Sequence, residues 1–137
     1  MSIAEAEQYE GREITIRGWV SKIQTFPKHM FMEIRDGPGD HNKIQVVSKI
    51  VPVIIEQYVE ITGQVAKLPP GKSSYQTVEI QLKTFTVLGE SNSDFTMRVP
   101  VGAGPDIKLE ERHLHLRSRE FSLITVLRSM FLTTLRN

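Results

Sequence analysis

At 137 residues, with 39% hydrophobic and 24% charged side chains, the chain has the make-up of one ordinary folded domain plus an appendage, not of a disordered tail. The net charge of +1 argues against a partner held by bulk charge, as a strongly basic nucleic-acid binder would be. The absence of Cys excludes disulfides and thiolate zinc sites, and no apolar run approaches the ~18 residues of a membrane span.

The charge is uneven. Residues 1–90 carry 10 Lys/Arg and 11 Asp/Glu, residues 91–111 carry 2 and 4, and residues 112–137 carry 5 and 1. Any polyanion bound by the first 90 residues must therefore meet a local face. The opening MSIAEAEQYEG is acidic and lacks the apolar stretch of a secretory signal. With no Cys, this is compatible with a reducing, cytoplasmic home.

Short strands follow. Glu13–Ile23 alternates, with Ile14, Ile16, Gly18 and Val20 on one side and Thr15, Arg17 and Trp19 on the other. Met30–Asp36 sets Met30, Met32 and Ile34 against Phe31, Glu33 and Arg35. The segment Asp36-Gly37-Pro38-Gly39-Asp40 is a turn. Lys43–Ser48 is a third strand, with Ile44 and Val46 against Gln45 and Val47. In Ile50–Gln57, Pro52 disfavours a central strand and suits the start of one helical turn. Tyr58–Ala66 turns Val59, Ile61, Gly63 and Val65 inward. A loop is expected over Leu68–Ser74. Thr77–Leu88 is the last strand, and the phase of Val78, Ile80 and Leu82 slips before Phe85, which predicts a bulge.

Five strands with a short connection between the third and fourth fit an all-β Greek-key barrel of the OB-fold type; an immunoglobulin-like sandwich calls for about seven. The OB-fold is assigned to residues 1–90. Residues 91–111 are rich in Ser, Gly, Pro and Asp and read as a linker. A C-terminal helix follows within 112–137. Its apolar stripe of Phe121, Ile124, Leu127, Phe131 and Leu135, flanked by Leu123 and Met130, makes it amphipathic and calls for an apolar partner.

Little in the chain points to catalysis. Gly71-Lys72-Ser73 lacks the earlier glycine of a phosphate loop, Ala66 standing in its place. His113 and His115 have the spacing of two residues on one strand face, but without a third ligand they make no zinc site. His29 and His41 fall in loops. No Ser/His/Asp set is arranged for nucleophilic attack. The one unusual feature is Phe31, which shares its face with Glu33 and Arg35 and not with the core residues. It is a partly covered surface ring, a core residue at a barrel's flared end, or a stacking platform for a base. Gln45, Glu79, Arg17 and Trp19 also point away from their apolar neighbours. An aromatic, an amide and a carboxylate together suit the edge of an unstacked base, although exposed Gln and Glu on strands are most often ordinary solvated residues.

Several stretches taken together resemble a known family. Gly18-Trp19-Val20, Phe31, Ile34-Arg35-Asp36-Gly37, Ile44-Gln45-Val46-Val47, Val59-Glu60-Ile61-Thr62-Gly63-Gln64-Val65 and Thr77-Val78-Glu79-Ile80 are similar to the N-terminal anticodon-binding domain of class IIb aminoacyl-tRNA synthetases. Arg112-His113-Leu114-His115-Leu116-Arg117 and the helix after it resemble the lead-in and first motif of the class II catalytic domain. The turn at 36–42 and this lead-in look asparaginyl first and aspartyl second.

The resemblance implies that Phe31 stacks the middle anticodon uridine, that Gln45 bonds its edge and that Glu79 accepts its N3–H. Lys22, Arg17 and Lys28 are further nucleic-acid-binding candidates. It also implies that Phe121, Ile124, Leu127, Phe131 and Leu135 belong to a homodimer interface. ATP and Mg2+ would be used by the full-length enzyme, with no catalytic residue, metal ligand or cofactor site in this chain, which reads as the front piece of a longer ligase. Ser21-Lys22-Ile23-Gln24 departs from the arginine-rich pattern common after Gly-Trp-Val in aspartyl-type chains, which weakens any arginine-based base reading from that strand. The alternatives are a stand-alone OB module for single strands and a protein-interaction barrel.

Overall fold

The computed structural model describes residues 1–69, 71, 76–92 and 102–137, the side chain of Asp40 excepted. Five strands, β1 (Glu13–Thr25), β2 (Met30–Arg35), β3 (Lys43–Ser48), β4 (Tyr58–Lys67) and β5 (Val78–Gly89), close into a barrel in the order β1-β2-β3-β5-β4. This is the OB-type Greek key expected. All the pairs are antiparallel except β3–β5, which is parallel.

Alternation fills the interior. Ile14, Ile16, Val20, Met30, Met32, Ile34, Ile44, Val46, Val59, Ile61, Val65, Val78 and Ile80 are buried. Each fully buried aliphatic side chain of this size contributes roughly 1.5–3 kcal/mol. Gly18 and Gly63 sit where strands approach too closely for a side chain. A Cβ on Gly18 would lie 2.5 Å from the Arg35 carbonyl oxygen, and one on Gly63 would collide with the Gln81 carbonyl oxygen.

The bulge predicted before Phe85 is present: Thr62 faces Thr84 while Gly63 faces Leu82, so Lys83 is the extra residue. A second extra residue on the same strand is Leu88, between the pairs Tyr58–Gly89 and Val59–Val87. A third bulge, at Ser21, was not foreseen. Val20 pairs with Ile34 but Lys22 pairs with Glu33. The extra residue resets the alternation, so Ile23 packs on the core and Lys22 and Gln24 face outward. β1 consequently runs two residues past the expected Ile23, to Thr25.

Two further expectations are corrected. No helical turn starts at Pro52. The chain is irregular there and closes a turn in which the Gln57 amide donates to the Ile54 carbonyl at 3.2 Å, with Glu56 at φ 70°. Arg35 donates to the Glu56 carboxylate at 2.7 Å, an anchor distant in sequence that local patterning does not reveal. The acidic N-terminus forms a 3-10 helix, Ile3–Tyr9, whose Ile3 and Ala6 are buried against the barrel. Asp36 holds it by accepting from the Ile3 amide at 2.8 Å.

The chain divides into two compact units, Met1–Ser93 and Asp94–Asn137. Of the expected linker, 93–101 lies outside the described residues, and Pro105–Glu110 is a helix, α1. In the expected loop, Pro70 and 72–74 likewise lie outside them. His113 and His115 belong to a helical turn, α2 (Arg112–His115), so they do not share a strand face; the His115 ring instead packs on Phe121 at 4.9 Å. The expected helix is α3 (Arg119–Arg136), about 27 Å long. It is capped by Ser118, whose hydroxyl accepts from the Phe121 amide at 3.4 Å, and it has Glu120 in its first turn and Arg136 in its last, both favourable to the helix dipole.

Candidate nucleic-acid interface

The outer face of β1, β2, β3 and β5 is built in cross-strand rows. One row reads Lys22–Glu33–Gln45–Glu79 and the next reads Gln24–Phe31–Val47–Gln81, each member being the Cα partner of its neighbour. Phe31, Gln45 and Glu79 are all half-buried. The Gln45 side-chain amide donates to the Glu79 carboxylate at 3.4 Å. The two residues are 34 apart in sequence and meet because β3 and β5 run parallel. The Gln45 backbone amide donates to the Gln76 side-chain oxygen at 3.1 Å, fixing the start of this row.

An open depression of about 560 Å³ lies over the face, lined by His29, Phe31, Gln45, Val47, Leu68, Pro69 and Glu79. A smaller one of about 80 Å³, on Lys22, Gln24, Phe31, Glu33 and Gln45, adjoins it. Phe31 lines both. A half-buried ring, an amide donor and a carboxylate acceptor thus share one open groove. The neighbouring Glu33 carboxylate is already engaged by the Ser21 hydroxyl at 2.7 Å and by Lys43 at 3.4 Å.

The other candidates divide. Lys22 is exposed at the end of the Glu33–Gln45–Glu79 row, and Lys28 is exposed in the β1–β2 turn. Arg17 does not join them. It lies opposite Glu60 on the β1–β4 side, where its guanidinium donates to the Glu60 carboxylate at 2.6 Å. That hydrogen bond and the attached negative charge raise the guanidinium pKa above its ordinary value. Seven strand positions separate Arg17 from Gln24, the partner of Phe31, or about 20 Å. Trp19 packs on Tyr58, with ring centroids 4.8 Å apart, at the same remote end.

Sequence reasoning missed Gln76, Gln24, Phe26 and the participation of His29. The signal for the last two was available: Phe26 stands two residues after Gln24, and His29 two before Phe31, so alternation sets all four on one face. Among the described residues no three His, Asp or Glu side chains are grouped to hold a metal, and no helix is long and apolar enough to cross a membrane. The stripe of α3 is exposed: Ile124 57%, Leu127 67%, Phe131 62% and Leu135 67%.

No family model matches the chain. It is similar to the cytoplasmic asparagine–tRNA ligase of Saccharomyces cerevisiae, at 26% identity over 134 residues, covering 92% of this chain and 24% of that protein. Among solved structures, asparaginyl-tRNA synthetase of Entamoeba histolytica in complex with asparaginyl-adenylate superposes with a TM-score of 0.76 at 27% identity, over 93% of this chain and 32% of that one. The aspartyl-tRNA synthetase of the same organism has the same fold, with a TM-score of 0.74 at 20% identity, over 99% of this chain and 37% of that one. The chain thus matches the N-terminal part of these ligases and spans about a quarter of the length of its curated relatives. Asparaginyl enzymes are the better match, and aspartate–tRNA ligases match as well.

Proposed function

We propose that the barrel is the anticodon-reading domain of an asparagine–tRNA ligase, whose complete form attaches asparagine to tRNA at the expense of ATP. The observation that carries this reading is the Gln45–Glu79 pair beside the half-buried Phe31 ring in one open groove. A pyrimidine stacked on Phe31 turns its edge toward that pair. Uracil presents a carbonyl oxygen to the Gln45 amide and its N3–H to the Glu79 carboxylate. Cytosine presents an N3 lone pair instead, and the carboxylate loses its donor. Lys22 and Lys28 flank the groove as phosphate contacts. ATP use is supported by the asparaginyl-adenylate complex of the Entamoeba enzyme; ATP and its metal are assigned to the remainder of the ligase, working in the cytoplasm as the yeast relative is named. The apolar stripe of α3, Phe121 to Leu135, is assigned to the contact between two subunits.

An aspartate-specific parent is the second reading, supported by the aspartate–tRNA ligases among the matches. A generic single-strand binder is the third, favoured by the presence of more than one ring on the face. The test is fluorescence anisotropy of the chain with an asparagine-tRNA anticodon stem-loop at fixed salt. A partner loop has the middle uridine changed to cytidine. Preference for uridine that disappears in Glu79→Ala, with binding of both loops weakened in Phe31→Ala, is expected. Equal binding of both loops would favour the generic binder, and no binding of either would refute RNA recognition by this chain.

A further inference from the structure

The β1–β2 hairpin carries more aromatic surface than one stacked base requires. Thr25 pairs with Met30, and the Phe26 amide donates to the His29 carbonyl at 2.8 Å, leaving Pro27 and Lys28 at the tip. Alternation buries Met30 and turns Phe26 and His29 to the outer face beside Phe31. The Phe26 and His29 rings are stacked, 17° from parallel with centroids 5.1 Å apart. Both stand nearly perpendicular to Phe31, at 87° and 89°, with centroids at 5.5 and 5.1 Å. Phe26 is 43% exposed, and His29 lines the same groove as Phe31, Gln45 and Glu79.

We propose that the stacked Phe26–His29 pair is a second base platform, which takes the nucleotide adjacent to the one on Phe31. The proposal rests on the anticodon reading above and deepens it. Two bases lying on planes near a right angle cannot stack on each other. The hairpin therefore holds the strand open between two successive nucleotides, the form in which single-stranded RNA exposes base edges. Lys28, exposed and between Phe26 and His29 in sequence, is the cation assigned to the intervening phosphate. Removing one stacked base from such a platform weakens binding by roughly five- to hundredfold.

The experiment is a coupling cycle on the 137-residue chain. Anisotropy titrations use the asparagine stem-loop intact and with an abasic site at either neighbour of the middle uridine, against wild type, Phe26→Ala, Phe26→Leu, His29→Ala and Phe31→Ala. One abasic neighbour should weaken wild type at least fivefold and should leave Phe26→Ala and His29→Ala no further loss. Phe26→Leu, which keeps apolar bulk without a π face, should bind as poorly as Phe26→Ala. If Phe26→Ala and His29→Ala stay within twofold of wild type while Phe31→Ala weakens binding, the platform is overturned and the anticodon reading stands. If Phe26→Ala weakens intact and abasic loops alike, the pair only props the Phe31 ring and the platform is overturned. If Phe31→Ala also has no effect, or nothing binds, both fail.

Discussion

Exchanging Glu79 for Gln should abolish discrimination between uridine and cytidine without abolishing binding. In wild type the Glu79 carboxylate is an acceptor only, and one of its oxygens lies 3.4 Å from the Gln45 amide nitrogen. One N–H of the Gln45 amide is thus taken up by Glu79; in the proposed complex the second N–H and the remaining carboxylate lone pairs meet the base as donor and acceptor, the pattern complementary to uracil. Cytosine leaves the carboxylate facing a lone pair. A hydrogen bond to a charged group is worth about 1.5–3 kcal/mol. Because Glu79 is only half-buried, a value near the low end applies, about 2 kcal/mol or about thirtyfold in Kd. A glutamine can present either its oxygen to uracil N3–H or its nitrogen to cytosine N3. The ratio of the two dissociation constants should then fall to about threefold or less. Anisotropy with the two stem-loops at one stated salt concentration gives both constants for both proteins. A tenfold or larger uridine preference surviving in Glu79→Gln would refute the assignment of N3 reading to this carboxylate. Stacking on Phe31 alone could not supply the preference, since both pyrimidines have a π face.

Three further outcomes are expected. Arg17→Ala should change stem-loop affinity by less than about twofold, because its guanidinium is held by Glu60 on the side away from Phe31; a large loss of affinity would mean that RNA reaches the β1–β4 side. Gly63→Ala should destabilise the barrel by roughly 2–3 kcal/mol, a fall in Tm of roughly 10–20 °C by circular dichroism, because the added Cβ meets the backbone of Gln81; an unchanged Tm would show that β4 and β5 yield freely at their crossing. Leu127→Asp with Phe131→Asp should convert any self-associated chain to monomer in sedimentation velocity, and a wild-type chain that is monomeric at high concentration would count against α3 as a subunit contact.

The strands were legible in the sequence because inside–outside alternation has a period of two and needs only near neighbours. Val59, Ile61, Gly63 and Val65 announce β4 by themselves, and the broken phase before Phe85 announces the bulge of β5. The same signal at Ser21 could have been read from the apolar residues shifting from even positions, ending at Val20, to the odd position of Ile23. The helix α3 was likewise local, a stripe with a period near 3.6. The N-terminal 3-10 helix had no such pattern, since only Ile3 and Ala6 are buried, and it depends on Asp36 across the fold.

The site divides along the same line. Alternation alone put Phe31, Gln45 and Glu79 on outward faces, and their grouping was carried by resemblance to a family, not by periodicity. Only tertiary structure brings Gln45 to Glu79, because the parallel β3–β5 closure sets their register through backbone hydrogen bonds between segments far apart in sequence. The β1–β4 pairing likewise engages Arg17 with Glu60, at the end of β1 remote from the groove, although alternation gives it the same outward direction as Phe31. Sequence fixes which way each side chain leaves its strand; which strands become neighbours is decided by the barrel's non-local pairing, and with it which of those side chains can act on one base.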